Sequence, residues 1–164
     1  LSSVIHTNLM SYERALLIDF GTNSEMALWD GSTLWVASAA GGPAFDGCGV
    51  SHGMPAEWGA VRNLDFVDEK FVCSVIGDGE PVGICGSGLV DAISLLLKNG
   101  FLKTSGRFQK LQDEVLIFSG KSRIALKASD IDVFQRANAA IRAGMICLSQ
   151  KANVALENLQ RVFI

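Results

Sequence analysis

Apolar and polar positions fall into blocks whose period changes along the chain. Positions 15–20, 25–30 and 33–37 each read as a short strand, broken by Gly-Thr-Asn at 21–23 and by Asp30-Gly31. Short apolar runs flanking Gly/Asn turns predict β-hairpins, so these three form an antiparallel meander. Asp30-Gly31 reads as a two-residue connection, with Trp29 and Trp35 placed to pack across the strands. Positions 61–67 and 70–76 make a second pair that turns at Asp68-Glu69. The period then lengthens. Leu89, Ile93, Leu96 and Leu97 keep helical spacing up to Asn99-Gly100, a helix stop. Positions 108–128 read as a β ribbon with strands at 115–118 and 123–126. A long helix is predicted from Ser129 to about Ala152, with Ile131, Phe134, Ala137, Ile141, Met145 and Leu148 as its apolar stripe. Ser129 with Asp132 three positions later resembles a capping box. Gln135, Asn138 and Arg142 lie on another face of that helix. The chain then turns through 153–160 into a buried-type strand at 161–164. Positions 1–11 read as the end of a helix, with His6 on its surface.

Strands and helices in this order predict an α/β (α+β) fold, a mixed sheet with flanking helices. At 164 residues the chain fits one domain, or one large piece of a bigger one. Apolar content of 49% supports a full core, while 19% charged is low for a free-standing domain. Some surface is therefore expected to be covered by other parts of a protein. A net charge of −3 and the lack of any basic run argue against nucleic acid as a partner. No apolar run approaches membrane-spanning length, and no signal peptide is visible. Cys48, Cys73, Cys85 and Cys147 show no C-x-x-C spacing, which excludes zinc, iron–sulfur and disulfide-framework patterns. They read as reduced thiols in a cytoplasmic protein.

Three stretches carry candidate chemistry. In 15–25, Asp19 ends an apolar strand that should be buried, and a buried charge is costly unless paired. A metal ion or its bound waters would pair it. Gly21 lets the backbone approach a ligand, Thr22 offers a hydroxyl and an N–H, and Asn23 completes the turn. Strand, Asp19 and turn together suit a phosphate and Mg²⁺ clamp. The competing reading is an aspartate that simply caps a hairpin. In 38–47, small residues crowd together, either against a bound group or in a tight connection under a core. Pro43 suits the first turn of a short helix there. His52, alone beside Gly and Met, reads as structural. In 83–89, a glycine-rich loop opens an amphipathic helix whose free N–H groups would attract anions. The spacing matches neither the P-loop nor the dinucleotide fingerprint, and close packing is the competing reading. Cys85 at that helix start has no partner base in view and reads as structural.

Taken jointly, five motifs support a resemblance. They are Leu17-Ile-Asp-Phe-Gly-Thr-Asn-Ser-Glu25, Gly42-Pro-Ala-Phe-Asp-Gly47, Gly53-Met54, Gly83-Ile-Cys-Gly-Ser-Gly-Leu89, and Asp130-Ile…Gln135…Ala-Ala-Ile-Arg-Ala-Gly144. Their order resembles one lobe of the actin-like, ribonuclease-H-like ATPase fold. Their content resembles the ATPase region of the reductive activators of corrinoid proteins. That resemblance implies a ferredoxin-like [2Fe–2S] domain joined to an actin-like ATPase region. ATP and Mg²⁺ would drive reduction of Co(II) to Co(I) on a corrinoid protein or corrinoid methyltransferase. Residues 1–164 would be a single partial domain, the truncated second lobe, with the iron–sulfur domain and first lobe outside it. This piece alone is then expected to be inactive, and a homodimer is an option for it. The resemblance makes Asp19 the catalytic residue, holding Mg²⁺ through water. It assigns Gly21, Thr22, Asn23, Gly42, Gly86, Ser87, Gly88, Gln135 and Asn138 to the nucleotide. Three departures stand out. Ser24 replaces a usual Gly, Asn138 replaces a usual Lys, and the family's Ala-Gly-x-Phe-Gly turn lies past the last strand, where this sequence has ended. Two rival readings stay open on the same fold: a non-catalytic interaction or dimerisation module, which Ser24 and Asn138 favour slightly, and a small-molecule kinase lobe.

Overall fold

The computed structural model describes residue 4 and residues 6–164. In chain order it has strands β1 (Ala15–Asp19), β2 (Ser24–Trp29), β3 (Leu34–Ala39), β4 (Ala60–Val67), β5 (Lys70–Val75) and β6 (Gly83–Ile84). Helix α1 (Gly86–Lys98), strands β7 (Glu114–Ser119) and β8 (Arg123–Lys127), helix α2 (Ala128–Ala152) and strand β9 (Arg161–Phe163) follow. The helix end read at 1–11 lies partly outside the described residues; within them Leu9–Ser11 is a 3₁₀ turn and His6 is exposed. Two compact units divide the chain. One holds Leu1–Gly42 and Ala137–Ile164, the other Pro43–Arg136. Among the described residues no helix is long and apolar enough to cross a membrane.

The first unit is a four-stranded sheet in the order β3-β2-β1-β9. The meander forms as the pattern predicts, and β9 adds in parallel to β1, from Ala15↔Arg161 to Leu17↔Phe163. Strand alternation sends Ala15, Leu17 and Ala27 to one face, where they pack with Leu9 and half-buried Tyr12, Trp29, Leu34 and Phe163. The other parity buries Leu16, Ile18, Met26 and Leu28. Gly144 of α2 lies against Met26, whose Cε would be 2.4 Å from a Cβ at that position. Ala137, Ile141 and Leu148 of the predicted stripe are buried, so the helical period chose the correct face.

Two expectations in this unit are corrected. β9 is not a buried-type strand: Arg161 and Val162 are exposed and Phe163 is half-buried. It pairs with one neighbour at the sheet edge, so the sheet shields it on one side only. The second hairpin turns on two residues, but they are Gly31 and Ser32 rather than Asp30 and Gly31, because the Asp30 N–H donates to the Thr33 carbonyl at 3.2 Å in continuation of the β2–β3 pairing. The tip folds around the Asp30 carboxylate. Its Oδ1 accepts the N–H groups of Ser32 (2.8 Å) and Thr33 (2.7 Å), and its Oδ2 accepts the Trp35 indole N–H at 2.7 Å. The Trp35 bond, followed by those backbone bonds, holds the Asp30 carboxyl well below the usual carboxylate range. A depressed folded value stabilises the fold above the ordinary carboxylate pKa, and that contribution is lost as pH falls below it. Acid titration of the melting temperature should therefore show a loss below about pH 4 that Asp30→Asn reduces. Parallel acid profiles for the two proteins would remove Asp30 from the account.

The second unit has a three-stranded sheet, β5-β4-β6, and the ribbon β7-β8. Asp68 and Glu69 turn β4 into β5 with φ of 49° and 59°, the left-handed pair that matches strand twist. β6 runs parallel to β4 through Ala60↔Gly83 and Val61↔Ile84. It occupies part of the stretch read as a loop, since two residues are too few for alternation to show. Gly86, Ser87 and Gly88 accordingly form the first turn of α1 rather than a loop ahead of it. Val61, Leu64, Ile84, Leu89, Ile93, Leu96, Ile124, Leu126 and Ile131 share one core. Each such side chain contributes about 1.5–3 kcal/mol when fully buried.

The start of α2 also differs from the predicted cap. Ser129 is already inside the helix, and Asp132 pairs with Arg136 at 3.0 Å on the surface. The capping carboxylate is Asp130, which is buried. Its Oδ2 reaches back to accept the Lys127 N–H at 2.9 Å, the acidic half of a capping box set two positions earlier. Its Oδ1 accepts both the N–H (2.9 Å) and the hydroxyl (3.0 Å) of Ser51.

Candidate functional site

The β1–β2 hairpin is the best-formed candidate. Asp19 is exposed, not buried as its strand context suggested, because burial stops at Ile18. Desolvation therefore does not demand a cation there. A different electrostatic feature does favour one: Asp19 pairs across the strands with Glu25. Like charges directly opposite are unfavourable, and a cation between or beside them removes the penalty. The Ser38 hydroxyl, one strand further out, donates to Glu25 at 3.3 Å.

Backbone contacts close the turn. A Cβ on Gly21 would lie 3.2 Å from the Asn23 carbonyl oxygen, a tight fit for any side chain. Ser24 is fully buried, and its hydroxyl donates to the Gly21 carbonyl at 3.4 Å. The serine that departs from the family's glycine is thus accommodated by the turn it borders, and it no longer separates the rival readings. Gly42, at φ +79°, donates its N–H to the Thr22 carbonyl at 3.0 Å. A Cβ on neighbouring Gly41 would be 3.5 Å from the carbonyl oxygen of Ala137. Asp19, Gly21, Thr22, Asn23 and Gly42 are therefore contiguous within the first unit. Exposed Asn138 follows Ala137 on α2 in the same unit.

The remaining predicted residues belong to the second unit. A Cβ on Gly86 would meet the Phe45 carbonyl oxygen at 2.0 Å, and one on Gly88 the Val61 carbonyl oxygen at 2.2 Å. Backbone packing accounts for both glycines. The Ser87 hydroxyl donates to the Arg62 carbonyl at 2.8 Å. Exposed Gln135 lies over Gly106, where a Cβ would come within 2.2 Å of its Nε2. Cys85 is buried, and its thiol donates to the Val61 carbonyl at 3.2 Å, in keeping with a structural role. All four cysteines are free thiols, and burial pushes the Cys73 thiol upward. His52 acts through its backbone, its carbonyl accepting the Ile84 N–H at 2.8 Å.

Sequence reasoning missed Glu25. The signal was available in the hairpin register, since Asp19 and Glu25 stand symmetrically about Thr22. Among the described residues no group of three or more His, Cys, Asp or Glu could hold a metal. The donor set still fits a hydrated Mg²⁺. That ion keeps several waters and binds through one or two carboxylates plus phosphate oxygens.

A meander extended by a parallel fourth strand, with a long helix behind it and a glycine-closed first hairpin, is the architecture of an actin-like ATPase (ASKHA) lobe. The chain belongs to the family described as the C-terminal domain of RACo, the ASKHA domain, whose sequence profile matches residues 13–164. It is 33% identical to the corrinoid activation enzyme RamQ of Eubacterium limosum over 172 aligned residues, covering 91% of this chain and 29% of that protein. It is 32% identical to the [Co(II) methylated amine-specific corrinoid protein] reductase of Methanosarcina barkeri, covering 95% of this chain and 32% of that protein. A solved structure, the reductive activator for corrinoid, iron-sulfur protein, superposes with a TM-score of 0.87 at 33% identity. That match covers 98% of this chain and 29% of the other. The chain thus spans about 30% of the length of the relatives it matches.

Proposed function

We propose that this domain is one nucleotide-binding lobe of a redox-coupled activator. In this reading, hydrolysis of Mg²⁺-bound ATP drives reduction of Co(II) corrinoid to Co(I) on a corrinoid protein or corrinoid methyltransferase. The electron comes from a [2Fe–2S] centre in a ferredoxin-like domain outside these residues. Family membership supports the general role, as do the corrinoid activators and reductase among the relatives. The observation that carries the nucleotide assignment is the hairpin, with Asp19 opposite Glu25 beside a turn tied to Gly42.

Asp19 would hold a water of the Mg²⁺ shell, and Glu25 would add charge on the same face. Gly21, Thr22, Asn23 and Gly42 line the phosphate path, where backbone groups approach a ligand without side-chain obstruction. When bound, the cation neutralises phosphate charge. Gly86, Ser87, Gly88, Gln135 and Asn138 stay assigned to the nucleotide on the resemblance alone.

The test is Asp19→Asn in the protein that carries this domain. Mg-ATP hydrolysis should fall about 10–100-fold, the usual cost of removing a group that orients a metal's ligands. The melting temperature should not move, because Asp19 is exposed at a strand end. Turnover equal to wild type would take Asp19 out of the mechanism.

A further inference from the structure

We propose that the turn Lys103–Arg107 in the second unit is a binding site for a phosphate-type oxyanion, held by two cationic residues that the backbone sets opposite one another. The stretch 101–109 is a small hairpin. The Lys103 N–H donates to the Arg107 carbonyl at 2.8 Å, the Gly106 N–H to the Lys103 carbonyl at 2.9 Å, and the Gln109 N–H to the Phe101 carbonyl at 2.8 Å. Leu102 and Phe108 bridge between those pairs. Thr104, Ser105 and Gly106 make the tip, and Gly106 supplies the left-handed φ of +81° that closes a three-residue hairpin loop. Alternation fixes the faces. Leu102 is buried and Phe108 packs against the same core, so Lys103 and Arg107 turn the other way, into solvent. They close the hairpin as a directly opposed pair of like charges. That arrangement costs stability, and an anion between or beside the two removes the cost.

No ion pair relieves it. Lys98, Lys103, Arg107 and Lys110 are all exposed, and no acidic residue occurs from 92 to 112. Among the described residues, the ion pairs join Arg123 to Glu114 and Arg136 to Asp132, so none of these four cations has one. Other donors converge on the same turn. Among the described residues, the N–H groups of Thr104 and Ser105 donate to no backbone carbonyl, and both residues carry exposed hydroxyls. The exposed amide of Gln135 lies over the tip, where a Cβ on Gly106 would be 2.2 Å from its Nε2. Guanidinium, ammonium, amide, hydroxyl and backbone N–H groups thus surround one turn. The set selects phosphate over carboxylate, because a phosphate group offers three strong acceptor oxygens to so many donors, and a carboxylate two.

Pyrophosphate titrated into the 164-residue chain at fixed ionic strength and without Mg²⁺, followed through backbone amide resonances, tests this. The Thr104, Ser105 and Arg107 amides should shift saturably. Lys103→Ala and Arg107→Ala should each weaken binding about tenfold or more, the usual effect of losing a hydrogen bond to a charged group. Neither should lower the melting temperature, since each removes a repulsion. Arg107→Glu, which sets an opposite charge against Lys103, should raise it while abolishing binding. ATP titrated in the same way separates the sources of the phosphate. Weakening by the alanine variants for both ligands assigns a nucleotide's phosphates, and weakening for pyrophosphate alone assigns a free phosphate compound. The Asp19 hairpin takes no part, so failure of the Asp19→Asn test leaves this expectation standing. Amides at 104–107 that do not move, shifts that survive both alanine variants, or shifts that glutamate reproduces at the same concentration overturn the proposal.

Discussion

Alanine at Gly86 or Gly88 should lower the stability of this protein sharply, and valine more so. Helix propensity alone points the other way, because alanine in place of a helical glycine gains about 1 kcal/mol. Packing reverses the sign. The added Cβ would stand 2.0 Å from the Phe45 carbonyl oxygen at position 86, and 2.2 Å from the Val61 carbonyl oxygen at position 88. Both obstructing atoms are backbone, so no side chain can swing aside. At Gly88 the clash is with β4 itself, whose position is fixed by pairing to both β5 and β6. Overpacking of a well-filled core costs about 1–3 kcal/mol, and backbone clashes belong at the upper end or beyond. Denaturant midpoints for both alanine variants measure this directly. Stability equal to or above wild type would refute the packing account. Intact stability with lost ATP affinity would make the helix start a ligand cradle instead.

The second large effect is expected at Asp130. Its two carboxylate oxygens accept three hydrogen bonds, from Lys127 N–H, Ser51 N–H and the Ser51 hydroxyl, at 2.9–3.0 Å. The residue is 1% exposed, and no buried side-chain polar atom among the described residues is left unsatisfied. Asp130→Ala strands those donors next to an apolar core that includes Ile131. Ser51 and Lys127 are themselves exposed, so water takes over part of the lost bonding, and with hydrogen bonds to a charged group worth about 1.5–3 kcal/mol a total loss of about 2–3 kcal/mol follows. Asp130→Asn should cost less, because one oxygen survives while the amide nitrogen faces a donor. Chemical denaturation should rank the proteins wild type, Asn, Ala. Near-equal midpoints would show that this carboxylate does not pin the 51 loop to the start of α2.

Much of the fold was legible because its signals are local. The meander at 15–39, the 68–69 turn, the ribbon and the face of α2 each follow from a period or a turn pair that nearest neighbours express. Misreadings arose where a side-chain hydrogen bond that period and propensity do not express decided the outcome. Ser129 has the cap chemistry, but the box closes two positions earlier: Asp130, in the third helical position, accepts the Lys127 N–H while its other oxygen is engaged by Ser51, 79 positions earlier. Position 30 looked like half of a two-residue turn. It pairs with Thr33 instead, the tip falls at Gly31-Ser32, and Trp35 and the backbone at 32–33 engage its carboxylate.

The candidate site divides the same way. The sequence by itself determined that Asp19 ends a strand, that a glycine turn follows, and that the motif set is that of a corrinoid-activator ATPase domain. Residue order carries those properties. Tertiary structure decided that Asp19 is exposed, that Glu25 stands opposite it, and that Gly42 ties down the turn at Thr22. It also decided that the chain forms two compact units, and that β9 is an edge strand rather than a buried one. Period and propensity fix which residues can face inward. Which neighbour covers them, and therefore which carboxylates stay in water and which are buried and bonded, depends on strand order and on contacts far apart in the chain.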